Sequence, residues 1–245
     1  MRAQPEQQAP PVQRLRIRYA KRGRLRFTSH RDFSRAFERA VARAGLPMAY
    51  SSGFHPHPRI SYAGAAPTGA ASEAEYVEIG LAQVVDPGDV AAALAQALPD
   101  GLDVLTVIES PGGSLADRLT ASRWVIQVPG AGADAEELEA RVTAFLAAET
   151  MTVERMTKKG LRSFDSRAAV ISLVVREEGG RAVLDLVLRH TVPAVRPDDV
   201  LAGLAAVAGE QPVQPALVTR LAQGPLDEAT GLVGDPFVPA DGGVA

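Results

Sequence analysis

Histidine and proline alternate in one short segment that could support chemistry. His55 and His57 are each followed by a proline, a pattern that favours an extended backbone with both imidazoles on one side. Together with His30, which precedes a predicted helix, they could ligate a divalent metal or act as acid and base in RNA backbone cleavage. We favour a simpler role, in which the three histidines and Arg59 share one surface and hydrogen-bond phosphate or backbone. No metal and no cofactor are therefore predicted.

Asp32 stands at the start of the predicted helix, directly after His30 and Arg31. A carboxylate at this position accepts backbone N–H groups of the first turn, and this capping role accounts for Asp32 by itself. An Arg-Asp pair also occurs in pseudouridine synthases, but the rest of their motif is absent here. Asp32 thus joins His30, His55 and His57 as a candidate catalytic residue of an enzyme alternative.

Positive charge is concentrated near the start of the chain. Residues 14–62 carry twelve Lys and Arg against two acids, a net charge of +10, whereas residues 63–151 carry three Arg against fourteen acids, a net charge of −11. Such segregation is typical of a surface that binds a polyanion. The predicted nucleic-acid contacts are Arg14, Arg16, Arg18, Arg24, Arg26, Arg31, Arg35, Arg39, His55, His57, Arg59, Lys158, Lys159 and Arg162.

The arginines must be positioned by strands and one helix. Residues 14–19 and 24–28 alternate arginine with apolar residues, which predicts two half-buried strands with arginine on the open face. Residues 32–44 show one apolar stripe at helical spacing, with arginine at every fourth position on the outer side. Strands over 48–52 and 76–81, a helix over 87–98 and a strand over 102–109 complete a β-α-β-β-α-β order, typical of the ferredoxin-like fold.

The same order recurs in the second half of the chain. Strands are predicted over 123–128, 151–158, 166–176, 181–190 and 214–221, and helices over 135–148 and 197–207. The sequence therefore predicts an α+β protein of two tandem ferredoxin-like halves with antiparallel sheets. The domains are a disordered lead-in 1–13, a first domain 14–110, a linker 111–121, a second domain 122–223 and a flexible tail 224–245.

Several function classes are excluded by composition. The chain has no cysteine, so disulfides, thiol nucleophiles and cysteine-ligated clusters or zinc sites cannot form. No apolar run approaches the roughly 20 residues needed to cross a bilayer, and the Gln- and Pro-rich start lacks the apolar core of a secretion signal. We expect a cytoplasmic protein without membrane contact.

Two blocks resemble the radical SAM-linked protein family. They are 24–47, which contains Arg-Phe-Thr-Ser-His-Arg-Asp, and 51–76, which contains Ser-Gly-Phe-His-Pro-His-Pro-Arg and Glu-Ala-Glu-Tyr. Members are similar to segments fused to, or encoded beside, radical SAM proteins, often near genes for an E/G-type ribonuclease and ribosomal proteins. The resemblance implies RNA or ribosome metabolism. Because the chain lacks the Cys-x3-Cys-x2-Cys triplet, it also implies that any radical chemistry belongs to a separate partner protein.

These observations favour an RNA-binding accessory protein. Arginine can grip a phosphate through two parallel hydrogen bonds, and no aromatic pair for base stacking is evident on the predicted sheet, so backbone and shape recognition is expected. Two alternatives remain. One is a metal-independent RNA-processing or RNA-modifying enzyme, similar in architecture to paired ferredoxin-like CRISPR RNA endonucleases, and the other is a protein–protein adaptor for a radical SAM enzyme.

Overall fold

The computed structural model describes residues 7–128, 135–157, 160–210 and 216–238. The chain divides into two compact units, Met1–Asp117 with Pro236–Ala245, and Arg118–Asp235. The described part contains four α-helices, and the strand pairs within each unit are antiparallel. The predicted α+β class with mostly antiparallel strands is therefore confirmed. No helix in these ranges has the length and apolar character needed to span a membrane.

The first unit has a β-α-β-β-α-β element order with a short 3-10 helix after the first strand. Its elements are β1 (Gln13–Lys21), the 3-10 helix (Gly23–Phe27), α1 (His30–Arg43), β2 (Ile60–Ala63), β3 (Ala71–Leu81), α2 (Pro87–Ala97) and β4 (Leu102–Glu109). β1 lies between β3 and β4 and is antiparallel to both, while β2 pairs with the other edge of β3. The spatial order within this unit is β4-β1-β3-β2.

One face of this sheet forms the core of the first unit with α1 and α2. The alternate residues Leu15 and Ile17 are fully buried, together with Phe33, Phe37 and Val41 of α1. These residues belong to the half-buried strand predicted over 14–19 and to the apolar stripe predicted over 32–44. Because successive strand residues point to opposite faces, the arginines that alternate with Leu15 and Ile17, which are Arg14, Arg16 and Arg18, must lie on the other face of the sheet.

The start of α1 is capped by Ser29, a residue type that favours this position, rather than by the Asp32 carboxylate that was expected to cap it. The Ser29 hydroxyl oxygen accepts a hydrogen bond from the Asp32 amide at 3.2 Å, and the same hydroxyl donates to the Asp32 carboxylate at 2.7 Å. These bonds satisfy one orphan N–H of the first turn. Gly45, at a φ of 63°, follows the last helical turn in the left-handed conformation that glycine tolerates best.

The predicted strand over 24–28 is wrong. These residues form the 3-10 helix, closed by hydrogen bonds from the Leu25 amide to the Arg22 carbonyl and from the Thr28 amide to the Leu25 carbonyl. The reason is that both edges of β1 are already occupied by β3 and β4, so no edge is left for a hairpin partner. The strand predicted over 48–52 is likewise reduced to single bridges at Met48 and Tyr50.

The second unit repeats the order with an added hairpin. Its elements are β5 (Ala121–Gln127), α3 (Ala135–Ala147), the β6–β7 hairpin (Thr152–Thr157 and Gly160–Asp165), β8 (Val170–Glu178), β9 (Arg181–Arg189), α4 (Pro197–Val207) and β10 (Leu217–Gly224). The larger sheet runs β10-β5-β9-β8. The strand predicted over 166–176 begins later, because the Asp165 carboxylate accepts the Arg167 amide and turns the chain before β8.

Residues at both ends of the chain make defined contacts where they are described. The Val12 amide donates to the Leu81 carbonyl, and Leu226 forms a bridge with Val233. Phe237 is buried against Tyr76, with ring centroids 5.4 Å apart. Of the predicted lead-in and tail, residues 7–13 and 224–238 are described, whereas 1–6 and 239–245 lie outside the described residues.

Candidate nucleic-acid interface

Arg16 is completely buried, contrary to the prediction that it lies on an open sheet face. It is 0% exposed. Its Nε donates to a Glu78 carboxylate oxygen at 2.9 Å, and its Nη2 donates to the carbonyls of Gly112 and Gly113 at 2.7 and 2.8 Å. The segment after β4 thus covers this part of the sheet. Arg16 is a structural cation and cannot reach a phosphate.

The neighbouring cations of β1 are also engaged by the first unit itself. Arg14 donates to Glu78 at 3.1 Å, and the Nε of Arg18 donates to the Glu73 carbonyl at 2.8 Å. Arg22 bridges the carboxylates of Glu73 and Asp103. Within β1, the carboxylate of Glu78 thus serves both Arg14 and Arg16, while Arg18 is held by a backbone carbonyl.

Glu78 is the central acid of this arrangement. Burial tends to raise the pKa of its carboxyl group, but hydrogen bonds from Arg16, Ser110 and Arg14 outweigh that effect, so the pKa lies below its ordinary value. The carboxylate is consequently ionised at neutral pH. It binds the sheet, the covering segment and Arg14 into one network.

The outer side of α1 presents a different kind of arginine. Arg31, Arg35 and Arg39 are exposed, and within the ranges that the structure describes no hydrogen bond or ion pair engages them. They face solvent because the apolar stripe of Phe33 and Phe37 faces the sheet. We call these three residues the α1 arginine ridge.

The 3-10 helix adds two further arginines and an exposed aromatic ring close to the start of α1. Arg24 is exposed, and the Arg26 guanidinium lies 4.6 Å from the centroid of the Phe27 ring. Phe27 is 59% exposed. Sequence reasoning assigned Phe27 to a half-buried strand and so missed it, because alternation of Arg, Leu, Arg and Phe fits a strand as well as this turn.

His30 is the first residue of α1 and contacts Tyr62 of β2. Its ring packs edge-on against Tyr62, with centroids 5.2 Å apart. Tyr62 packs with the core side of the sheet, where burial raises the pKa of its hydroxyl to about 12. That hydroxyl donates to the Ser34 carbonyl at 3.4 Å. Tyr62 thus stays neutral, and its ring packs against the His30 ring at the first residue of α1.

The His-Pro-His-Pro segment forms an exposed loop with a closed base. The Ser51 amide donates to the His57 carbonyl at 2.9 Å, and the His57 amide donates to the Ser51 hydroxyl at 3.0 Å. Phe54, which is 66% exposed, and His55 lie at the tip. His55 therefore projects from the loop, while His57 lies at its base.

One cleft contains two of the four residues predicted to share a surface. His57 and Arg59 line a cleft together with Arg14, but His30 and His55 are not among its lining residues. His30 packs beside Tyr62 and His55 lies at the loop tip, so this cleft contains only His57 and Arg59 of the predicted set, and a surface shared by all three histidines stays a prediction. In the described parts of the chain, no three His, Asp or Glu side chains are grouped to hold a metal ion.

The second predicted basic cluster lies in the other unit. Arg162 is exposed on β7, opposite Arg155 of β6. Arg155 is engaged by Asp199 and by the Phe164 ring, whereas Arg162 has no such contact among the described residues. Lys158 and Lys159 lie outside the described residues. Arg162 thus stays a candidate phosphate contact of the second unit.

Residues 14–197 match a family described as an uncharacterized protein conserved in bacteria, DUF2344. The chain belongs to this family. The DUF2344 match includes all of the first-unit candidate residues and Arg162. No curated protein matches the chain.

Solved structures also resemble this DUF2344 chain. One chain of the crystal structure of a Cbf5-Nop10-Gar1 complex matches 92% of it at 10% sequence identity, with a TM-score of 0.44. The DUF2344 chain spans 56% of the length of that protein.

Proposed function

We propose that this DUF2344 protein is a non-catalytic RNA-binding accessory protein. It binds structured RNA chiefly through phosphates, and a radical SAM protein in a separate chain is its partner in RNA or ribosome metabolism. The observation that carries RNA binding is the α1 arginine ridge, whose cations have no acid partner among the described residues. The proposal of a radical SAM partner rests on the resemblance of the blocks that contain Arg-Asp and His-Pro-His-Pro to the radical SAM-linked protein family.

The geometry of the ridge suits a polyanion. Residues four apart on a helix are neighbours separated by about 6 Å along the axis, so Arg31, Arg35 and Arg39 form a row of adjacent cations. Each guanidinium has its N–H fork free to bind a phosphate through two hydrogen bonds. Arg26 and Phe27 extend the same chain segment with a cation and a ring on which an unpaired base can stack.

The proposed fold is a tandem of two ferredoxin-like units. It is supported by the β-α-β-β-α-β order and the β4-β1-β3-β2 arrangement of the first unit, and by the β10-β5-β9-β8 arrangement of the second. RNA-recognition modules with such a sheet read bases on the sheet face. Here Arg16 and the segment at Gly112 occupy that face. This favours RNA binding at the outer surface of α1 over binding at the sheet.

RNA binding is tested by measuring the affinity of a fluorescent RNA hairpin at several salt concentrations. The logarithm of the binding constant should fall linearly with the logarithm of salt concentration, and hairpins of unrelated sequence should bind alike. Arg35→Gln with Arg39→Gln should weaken every hairpin by about tenfold and reduce the salt slope by about 2. A matched control is Arg176→Gln with Arg181→Gln, which removes the same charge from the β8–β9 hairpin. Absence of binding by the wild type at low salt would contradict the proposal and make capture of a radical SAM protein the decisive test of an adaptor.

The accessory role also makes a prediction for the loop histidines. His55→Ala and His57→Ala should weaken RNA binding, and purified wild-type protein should leave end-labelled RNA chemically intact with or without divalent metal. The measurement is gel and mass analysis of the RNA after prolonged incubation. Reproducible cleavage or modification by the wild type, lost in either variant while RNA still binds, would establish the enzyme alternative.

A further inference from the structure

A small cleft in the first unit has the properties of a phosphate site. It lies between the base of the 51–59 loop and strands β2 and β3, beside the start of β1, and has a volume of about 280 Å³. Its polar lining residues are Arg14, Ser51, His57, Arg59, Ser61 and Glu78.

Two guanidinium groups in the cleft are held in place from one side. Arg14 Nη1 donates to Glu78 at 3.1 Å, and Arg59 Nε donates to the Tyr50 carbonyl at 3.1 Å. The remaining N–H groups of both arginines have no partner within the described ranges. An arginine fixed in this way loses little conformational entropy when it binds an anion.

The charge of the cleft is positive despite its one carboxylate. Glu78 is ionised, but Arg16 lies behind it in the sheet and balances its charge at 2.9 Å. Arg14 and Arg59 then leave a net charge of +2. The hydroxyl of Ser61 and the ring of His57 add hydrogen-bonding groups around the same space.

Gly80 allows the wall that carries Arg59 to lie against β3. A Cβ at this position would stand 3.0 Å from the Pro11 Cβ and 3.3 Å from the Arg59 Cβ. The Gly80 amide instead donates to the Arg59 carbonyl at 2.8 Å, and the Gly80 carbonyl accepts from the Ala49 amide at 2.9 Å. The position of Arg59 is thus fixed by backbone hydrogen bonds.

We propose that this cleft binds a phosphate monoester and, resting on the proposed RNA binding, that the ligand is the terminal phosphate of an RNA strand. A monoester carries a charge of about −1.5 to −2 at neutral pH, which matches two arginines, whereas an internal phosphodiester carries a single charge. The volume of about 280 Å³ lies just below that of typical small-ligand pockets, which span about 300–1,000 Å³. It suits one strand end better than a continuous strand.

The test compares one RNA hairpin in three forms: with a 5′-phosphate, with a 3′-phosphate, and with hydroxyl groups at both ends. One phosphorylated form should bind the wild type about tenfold more tightly than the hydroxyl form. Arg59→Gln should abolish that preference. Ser61→Asp should abolish it too, because it places a carboxylate in the cleft without removing an observed contact. Arg181→Gln is the matched control that should retain the preference, and thermal unfolding verifies that each variant is folded.

The outcomes separate this inference from the proposed function. If all three RNAs bind the wild type equally, RNA binding stands and the cleft inference is overturned. If no RNA binds, the proposed function fails, and inorganic phosphate and a ribonucleoside monophosphate are titrated while the His57 ring signals are followed by NMR. Shifts that vanish in Arg59→Gln would then support a monoester site, and unchanged signals would overturn it.

Discussion

Arg16 of β1 and the arginines of α1 belong to the same unit but have opposite environments. Arg16 lies opposite Glu78 in the register of two central strands and is covered by the segment after β4. Arg35 and Arg39 lie on the solvent side of a helix whose other side is the core. The first kind of cation stabilises the fold, and the second kind remains available to a ligand. Net charge along the sequence does not distinguish the two.

The energetic consequences of the two environments also differ. A buried cation is costly to desolvate, and Arg16 is stabilised by Glu78 and two carbonyls through Nε and Nη2, while its Nη1 has no hydrogen-bond partner among the described residues. An exposed cation contributes little to stability. Substitution of Arg16 should therefore damage stability, and substitution of the α1 arginine ridge should damage ligand binding.

The largest effect is expected at Phe37, which determines which side of α1 faces solvent. Phe37 is 1% exposed and packs with Phe33 and Tyr62. Phe37→Ala should lower the free energy of unfolding by about 3–5 kcal/mol, because it removes buried area and leaves a cavity. Denaturant unfolding measures the change. Phe27→Ala, at an exposed ring, is the matched control and should cost far less.

Arg16→Ala should be the next most destabilising change. Removing one partner of a buried ion pair leaves the other poorly compensated, which costs about 3 kcal/mol or more. A double variant, Arg16→Met with Glu78→Met, should recover much of that loss in denaturant unfolding, because it removes both buried charges. If Arg16→Ala unfolds like the wild type, the assignment of Arg16 as a structural cation is wrong.

Glu78→Gln should cost about 2 kcal/mol at neutral pH, a magnitude typical of hydrogen bonds to a charged group. The cost should depend on pH. Because the folded-state pKa of Glu78 lies below its ordinary value of 4.5, its ionised form stabilises the fold above that pH, and this stabilisation is lost as pH falls through the folded-state pKa. Unfolding measured from pH 7 downward should show the wild type and Glu78→Gln converging in acid. A difference that stays constant with pH would contradict the role of the carboxylate charge.

The parts of this unit that the sequence predicts well are those set by local pattern. The apolar stripe of α1 has a clear helical period, and its cap at Ser29 follows from residue type. β4 and α4 begin and end at the predicted residues. These features depend on neighbours within a few positions, which a single sequence displays directly.

The misplaced features depend on contacts between distant residues. The segment 24–28 alternates like a strand, but whether it can pair depends on whether β3 and β4 already occupy both edges of β1. The burial of Arg16 depends on Glu78 and on the carbonyls of Gly112 and Gly113, all more than 60 residues away. The cleft at Arg59 likewise depends on Arg14 and Gly80, which no local pattern connects to the loop.

The smallest stability effect and the clearest functional effect are expected on the α1 arginine ridge. Replacing Arg31, Arg35 and Arg39 together by Gln should change the free energy of unfolding by less than about 0.5 kcal/mol per site, because exposed cations without partners contribute little. The same variant should lose RNA affinity at every sequence tested, because phosphate contacts carry no base information. Arg16→Ala, measured where it is still folded, should keep the slope of affinity against salt concentration, since a buried guanidinium releases no counterions from RNA. A ridge variant that is much less stable than the wild type yet binds RNA normally would contradict the assignment of the α1 arginines to RNA binding.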